Sequence, residues 1–296
     1  MASRSPEPPH QGAVTARSRP VYCKHMRAPP APALDRRQPD LGGRGDLRAF
    51  RERTLARGVN PFLYWLVRGV LQPLFLVYFR MQRIGREHLP RRGPLLLASN
   101  HRSFLDPFVV GMLVRRPVYF MAKRELFEKR WQAWLLSSLG AFPVDRGAGD
   151  RQAIETARAI LERGDCVVVF PEGTRVRPGP LGAPRRGVGR LALETGAPVA
   201  PVAVIGTEDV RRSWRIRPRK VRLRVGRPLR FPLPERASPA LSAAVTERIW
   251  ACVNLQWEWL GGVPAPRENL QPAAAASARR RRAHPDSRTR ERAHAA

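Results

Sequence analysis

Apolar positions along the chain fall into three regimes. Residues 1–50 carry Pro-rich polar runs such as PEPPH and APPAPALDRR without apolar periodicity, and residues 264–296 end in a low-complexity Ala- and Arg-rich stretch. Such segments bury too little apolar surface to offset chain entropy, so both are predicted to be disordered. Between them, residues 51–263 are orderly. Short apolar runs bounded by turn residues predict strands over 94–98, 118–122, 166–170, 199–205 and 221–225. Helical spacing lies between the runs. In 150–163, Ala153, Ile154, Ala157, Ile160 and Leu161 share one face, with Asp150 as cap and Gly164 as stop. Ser238 and Pro239 open another helix as N-cap and first residue. Residues 125–139 and 187–195 also read as helical. The alternation predicts an α/β domain, with a central mixed, largely parallel sheet flanked by helices.

The most apolar stretch, 61–79 (PFLYWLVRGVLQPLFLVYF), has 19 residues with Arg68, Gln72 and Pro73 in its middle. A central arginine is costly in hydrocarbon, and a proline is expected to kink the helix. The segment 59–82 is therefore predicted to be a membrane-associating helix at the interface, its aromatic residues at headgroup level, rather than a span. A buried packing helix is the alternative. No apolar signal-peptide region is apparent near residue 1, and either Met1 or Met26 would serve as a start.

Composition adds a charge of +30, from 54 Lys and Arg against 24 Asp and Glu. Only four of these are lysines (24, 123, 129 and 220), so arginine-rich coding accounts for part of it. The remainder points to a polyanionic partner: nucleic acid, a membrane surface or a phosphorylated substrate. Residues 211–230 hold ten basic side chains and no acid, and the alternation in KVRLRV predicts a strand with Lys220, Arg222 and Arg224 on a cationic outer face. Three separated cysteines without a CxxC exclude a disulfide scaffold or a Cys-based zinc site, and Cys166, inside CVVVF, reads as a core thiol.

Two motifs carry chemistry. In PLLLASNHRSFLDPFVVGML, His101 and Asp106 are five residues apart, about 140° around an ideal helix, so they meet only if the helix begins between them. Asp106 before Pro107 supplies such a start, as N-cap and first residue, leaving His101 in the strand-to-helix turn. A histidine oriented by a carboxylate is a general base for a hydroxyl. In CVVVFPEGTRVRPG, Pro171 ends a buried strand and puts Glu172, Gly173, Thr174 and Arg175 beyond its carboxyl end, where α/β sheets bind ligands. Gly173 permits close approach, Thr174 adds a hydroxyl, and Arg175 offers a fork for phosphate. Glu172 is expected to orient a substrate hydroxyl or hold Arg175.

NHRSFLD (100–106) together with FPEGTR (170–175) resembles the glycerolipid acyltransferases, specifically the 1-acylglycerol-3-phosphate (lysophosphatidate) acyltransferase group. GAFPVDR (140–146) is similar to the second motif of that family, with Arg146 at its basic position, although Pro143 departs from the apolar residues usual there. APVAPVAV (197–204) is similar to the fourth, RRGVGRLALETG is also family-like, and the likeness covers about residues 60–230. It implies acyl transfer from an acyl thioester, acyl-CoA or acyl-carrier protein, to a lysophospholipid hydroxyl without a covalent enzyme intermediate. His101 and Asp106 would be catalytic; Glu172, Gly173, Thr174 and Arg175, with Arg146 and Lys123, would bind the acceptor and its phosphate. No metal or cofactor is required, acyl-CoA being a co-substrate. The implied partners are the acceptor, the acyl donor and an anionic phospholipid surface, with the protein peripheral or monotopic on the cytoplasmic face of the cell membrane. A different lysolipid acceptor, a catalytically silent lipid-binding relative and a basic nucleic-acid-binding protein are the alternatives; no specific nucleic acid is expected, because no binding motif accompanies the charge.

Overall fold

The computed structural model describes residues 46–144, 151–176, 178–212 and 215–264. The expected tails before residue 46 and after residue 264, Cys23, Arg146 and the Asp150 cap lie outside the described residues. Helix α1 (Asp46–Arg57) begins inside the stretch expected to lack order. Its sequence is mostly polar, so apolar periodicity does not reveal it. It is held by Phe50, which packs against Phe127, and by Arg51, which donates to the Pro143 carbonyl at 3.1 and 3.2 Å.

The chain continues through α2 (Pro61–Val77), β1 (Gln82–Ile84), β2 (Leu95–Ser99), α3 (Asp106–Gly111), β3 (Val118–Lys123), α4 (Arg130–Ser138) and β4 (Ala141–Val144). It then forms α5 (Arg151–Glu162), β5 (Cys166–Val169), α6 (Gly187–Thr195), β6 (Val199–Ile205), the short pair β7 (Arg211–Arg212) and β8 (Arg215–Ile216), β9 (Arg222–Val225) and α7 (Pro239–Trp259). Seven strands make one sheet in the order β1-β9-β6-β2-β5-β3-β4. Every pairing in it is parallel except β6 with β9, so the sheet is mixed and largely parallel, as expected.

The central strands are apolar on both faces because both faces are covered. Leu96 and Ala98 join the core beneath α5, α6 and α7; Leu95 and Leu97 join the other, beneath α2 and α3. Each such leucine contributes about 1.5–3 kcal/mol on burial. Helices α6 and α7 approach so closely that a Cβ at Gly189 would lie 2.1 Å from the Ser242 carbonyl oxygen. Cys166 is fully buried in β5, and burial pushes its thiol up to about 12, as befits a core residue.

Helix α2 runs through Pro73. Arg68, which seemed to interrupt an apolar face, turns inward instead. It donates to the carbonyls of Gly111 and Val114 at 3.1 and 2.6 Å, where the end of α3 leaves acceptors open. The outward stripe is left apolar: Phe62, Leu66, Val70, Leu74 and Val77 are all exposed. No helix among the described residues is long and apolar enough to cross a membrane. The cationic strand face is only partly open: Lys220 is exposed, but Arg224 is covered. β9 lies inside the sheet, and α7 covers Arg224, whose guanidinium stacks 4.1 Å from the Trp259 ring centroid and bonds Gln256.

Candidate active site

The carboxyl ends of adjacent strands β2 and β5 bring the two motifs together. Beyond β2, Asn100 is fully buried and pinned to β6: its Nδ2 donates to the Val204 carbonyl at 2.9 Å, and its Oδ1 accepts from the Val204 N–H at 2.8 Å. The chain then turns sharply, placing His101 and Asp106 on one side. His101 Nδ1 lies 2.9 Å from Asp106 Oδ2, and the imidazole stacks on Phe170 with centroids 4.2 Å apart.

Asp106 stands where the expected motif required it, but it does not cap α3. It is the first residue of that helix, and its carboxylate points back into the preceding turn. There Oδ2 accepts the N–H groups of Arg102 and Ser103 at 2.6 and 2.7 Å, and Oδ1 accepts the Thr207 hydroxyl at 2.6 Å. A wholly buried carboxylate is held by such donors, and the same donors fix its position against the imidazole. With Nδ1 as donor to Asp106, Nε2 is the basic nitrogen. Thr207 escaped the sequence reading, since a lone threonine after a strand carries no motif.

Glu172 neither holds Arg175 nor reaches toward the cavity. Its Oε2 accepts the His101 N–H at 2.6 Å and its Oε1 the Gly182 N–H at 2.9 Å, because the loop after β5 folds across the turn after β2. Burial pushes its carboxyl above the usual range, opposed by those two N–H groups. The Val176 N–H returns to the His101 carbonyl at 2.9 Å, so the histidine backbone is clamped from both sides. Gly173 adopts φ of +70°, and a Cβ there would sit 2.8 Å from Arg185 Nε. The close approach expected of this glycine is made by a protein guanidinium.

His101 lines a cavity of about 880 Å³. Its walls include Phe170, Met121, Ile154 and Val188, and its rim carries Arg151, Arg185, Arg186 and Arg190 at the starts of α5 and α6. Arg190 pairs with Glu194 at 2.6 Å; the other three have no carboxylate partner among the described residues. These arginines were not singled out from sequence, although the Arg-Arg pair before Gly-Val-Gly, at a helix start, was a usable signal for an anion site. Of the expected binding residues, Gly173 lines the cavity, whereas Thr174 and Arg175 are exposed and do not. Lys123 is half exposed, pairs with Glu125 at 2.9 Å and lies outside the lining. The structure therefore brings His101, Asp106, Glu172 and Gly173 together and leaves Thr174, Arg175 and Lys123 outside.

Comparison with known proteins shows the family to which the chain belongs. Residues 80–205 match the family model described as Acyltransferase. The chain is 31% identical over 173 residues to a 1-acyl-sn-glycerol-3-phosphate acyltransferase of Bacillus subtilis, a match covering 56% of this chain and 84% of that one. It is 30% identical over 156 residues to the protein of the same description from Pseudomonas aeruginosa, covering 52% and 58% of the two chains. A lyso-ornithine lipid O-acyltransferase of P. aeruginosa is 34% identical over 165 residues, covering 54% and 61%. Among solved structures, the 1-acyl-sn-glycerophosphate acyltransferase PlsC of Thermotoga maritima aligns at 23% identity with a TM-score of 0.49, over 74% of this chain and 97% of that one. With the Bacillus relative matched over most of its length, and the histidine and aspartate motif set at the strand ends, this chain belongs to the 1-acyl-sn-glycerol-3-phosphate acyltransferase group of the acyltransferase family and is an O-acyltransferase.

Proposed function

We propose that this enzyme transfers an acyl chain from an acyl thioester to the free hydroxyl of 1-acylglycerol-3-phosphate, giving phosphatidate, with His101 and Asp106 as the general-base pair. The observation that carries the reading is the buried Nδ1–Oδ2 contact of 2.9 Å, set at the wall of an arginine-rimmed cavity. Nε2 takes the hydroxyl proton as the oxygen attacks the thioester carbonyl carbon. Asp106 stabilises the imidazolium and keeps the tautomer. The tetrahedral intermediate collapses, the carbon–sulfur bond breaks, and the imidazolium returns its proton to the departing thiolate. Proton and leaving group balance within the pair, so no covalent enzyme intermediate is needed.

Arg151, Arg185 and Arg186 favour a phosphomonoester acceptor. They present guanidinium groups free of carboxylate partners among the described residues, at the starts of α5 and α6, where the helix dipole also favours an anion. An ornithine headgroup carries its own ammonium and suits such a rim less well. The outward apolar stripe of α2 supports attachment to a membrane surface, where acceptor and product partition.

The test is a panel of lysolipid acceptors, with acyl-CoA or acyl-carrier protein of one chain length, read by thiol release. 1-Acylglycerol-3-phosphate is expected to give the highest kcat/KM. A higher value with lyso-ornithine lipid would transfer the assignment to that acceptor, and release with no acceptor would remove it.

A further inference from the structure

The loop between β5 and α6 is closed on itself. The Arg185 N–H donates to the Pro171 carbonyl at 2.8 Å, and the Gly182 N–H to Glu172 Oε1 at 2.9 Å. Loops whose ends meet in this way pack on their own side chains and often carry function. Leu181 gives the loop its apolar anchor in the core beneath α5, α6 and α7. Its polar anchors are few. Apart from the turn contact of Gly173 with Phe170, every hydrogen bond from 172–184 to the rest of the molecule ends, among the described residues, on His101 or Arg102.

Arg102 is 6% exposed and follows His101 directly. Its N–H is held by Asp106, so its side chain leaves from a fixed turn. Nη2 offers its N–H groups to the carbonyl of Gly179 and, at 3.2 Å, to that of Pro180. The Trp257 ring of α7 lies 4.8 Å from the guanidinium carbon, and its Nε1 donates to the Val263 carbonyl at 2.9 Å. A planar guanidinium can bond carbonyls and stack on an indole at once, which a lysine ammonium cannot do. Burial raises the carboxyls of Glu172 and Glu208, and the charge of Arg102 opposes that rise.

We infer that Arg102 is a positioning residue: it docks the Gly179–Pro180 limb of this loop and thereby keeps Glu172 on the His101 backbone and Gly173 and Arg185 at the cavity. The connectivity carries the consequence. Gly182, two residues beyond Pro180, gives its N–H to Glu172 Oε1, while Oε2 takes the His101 N–H. Releasing Gly179 and Pro180 would loosen Gly182, then Glu172, then the histidine backbone, with Asp106 still in place. The catalytic consequence rests on the proposed acyl transfer; the docking does not.

The experiment uses the full chain and compares Arg102→Met, Arg102→Lys and Ile249→Val, a core substitution in α7 that controls for stability. Thiol release gives kcat and the acceptor KM, and hydrogen exchange follows the amides of the loop and of α5. Arg102→Met is expected to lower kcat about 10–100-fold, as misplacement of a base does, and to raise the acceptor KM about tenfold. Exchange at Val176 and Gly182 is expected to quicken about tenfold, with α5 unchanged. Arg102→Lys keeps the charge without the planar fork and is expected to lie between Arg102→Met and the wild type. Ile249→Val is expected to lower Tm and to leave kcat and KM as they are. Unchanged exchange in the loop would overturn the docking, and equal acceleration in the loop and α5 would make Arg102 merely structural. Faster loop exchange with kcat and KM retained would overturn the positioning role. If the wild type releases no thiol with any lysolipid, the proposed acyl transfer fails instead, and exchange alone decides the docking.

Discussion

The turn that holds His101 and the rim that faces it are built in opposite ways. In the turn, almost every polar group is answered. Asp106 receives four donors, Glu172 two backbone N–H groups, and Asn100 bridges to β6 in both directions. On the rim, Arg151, Arg185 and Arg186 come from the starts of two helices and have no carboxylate partner among the described residues. In the proposed reaction the difference follows from what each would do. A general base needs a fixed tautomer and direction before substrate arrives, so its surroundings are saturated. An anion site must keep its donors for the ligand, so its cations stay unpaired and closer to water.

That contrast can be broken by mutation. Asp106→Asn is expected to have the largest effect among the supporting residues: an amide presents N–H as well as C=O, so it disrupts the tautomer and leaves N–H groups facing N–H. Thiol release should fall by about 10²–10⁴-fold in kcat. If the loss appears only in KM, the pairing with His101 is not catalytic. Next comes the rim. Arg185→Ala is expected to raise the acceptor KM by about 10–100-fold, as removal of a charge-assisted contact of ~1.5–3 kcal/mol would. Arg175→Ala, exposed on the same loop, should raise it less. The reverse order would mean that the loop closes over the acceptor and carries Arg175 inward.

A smaller effect belongs to Thr207→Val, which keeps shape but removes the donor to Asp106 Oδ1. A loss of about tenfold in kcat, equal to ~1.4 kcal/mol, with KM unchanged would mark Thr207 as a positioning residue. Equal loss of stability and activity would make it merely structural. The smallest effect concerns pH. Because burial raises the Glu172 carboxyl in the fold, its contribution is fully present below the ordinary glutamate range and is lost as pH rises through the raised value. Glu172→Gln should therefore flatten the fall in Tm between the ordinary glutamate range and neutrality, and an unchanged slope would contradict that linkage.

The same contrast governs what could be read before the structure. Strand β6 and helix α6 lie where periodicity put them, β2, β3 and β5 differ by a residue, and α7 begins where its cap was expected, because their apolar faces are continuous. β1 was missed since QRI carries one apolar residue, and β4 since Pro143 sits within it. In the site, His101 and Asp106 were legible because a helix start between them is a local property. Thr207 and the grip of Glu172 on the His101 backbone were not, for both are contacts between distant segments. The rim arginines were hidden by abundance: among fifty arginines, only position in the fold separates them.

The most direct test compares thiol release by the wild type and His101→Ala, with acyl-CoA and 1-acylglycerol-3-phosphate at saturation. The account predicts release stoichiometric with phosphatidate in the wild type and a fall of about 10²–10⁴-fold in kcat for the variant, with its fold intact by Tm. Retention of most of the activity by His101→Ala would contradict it.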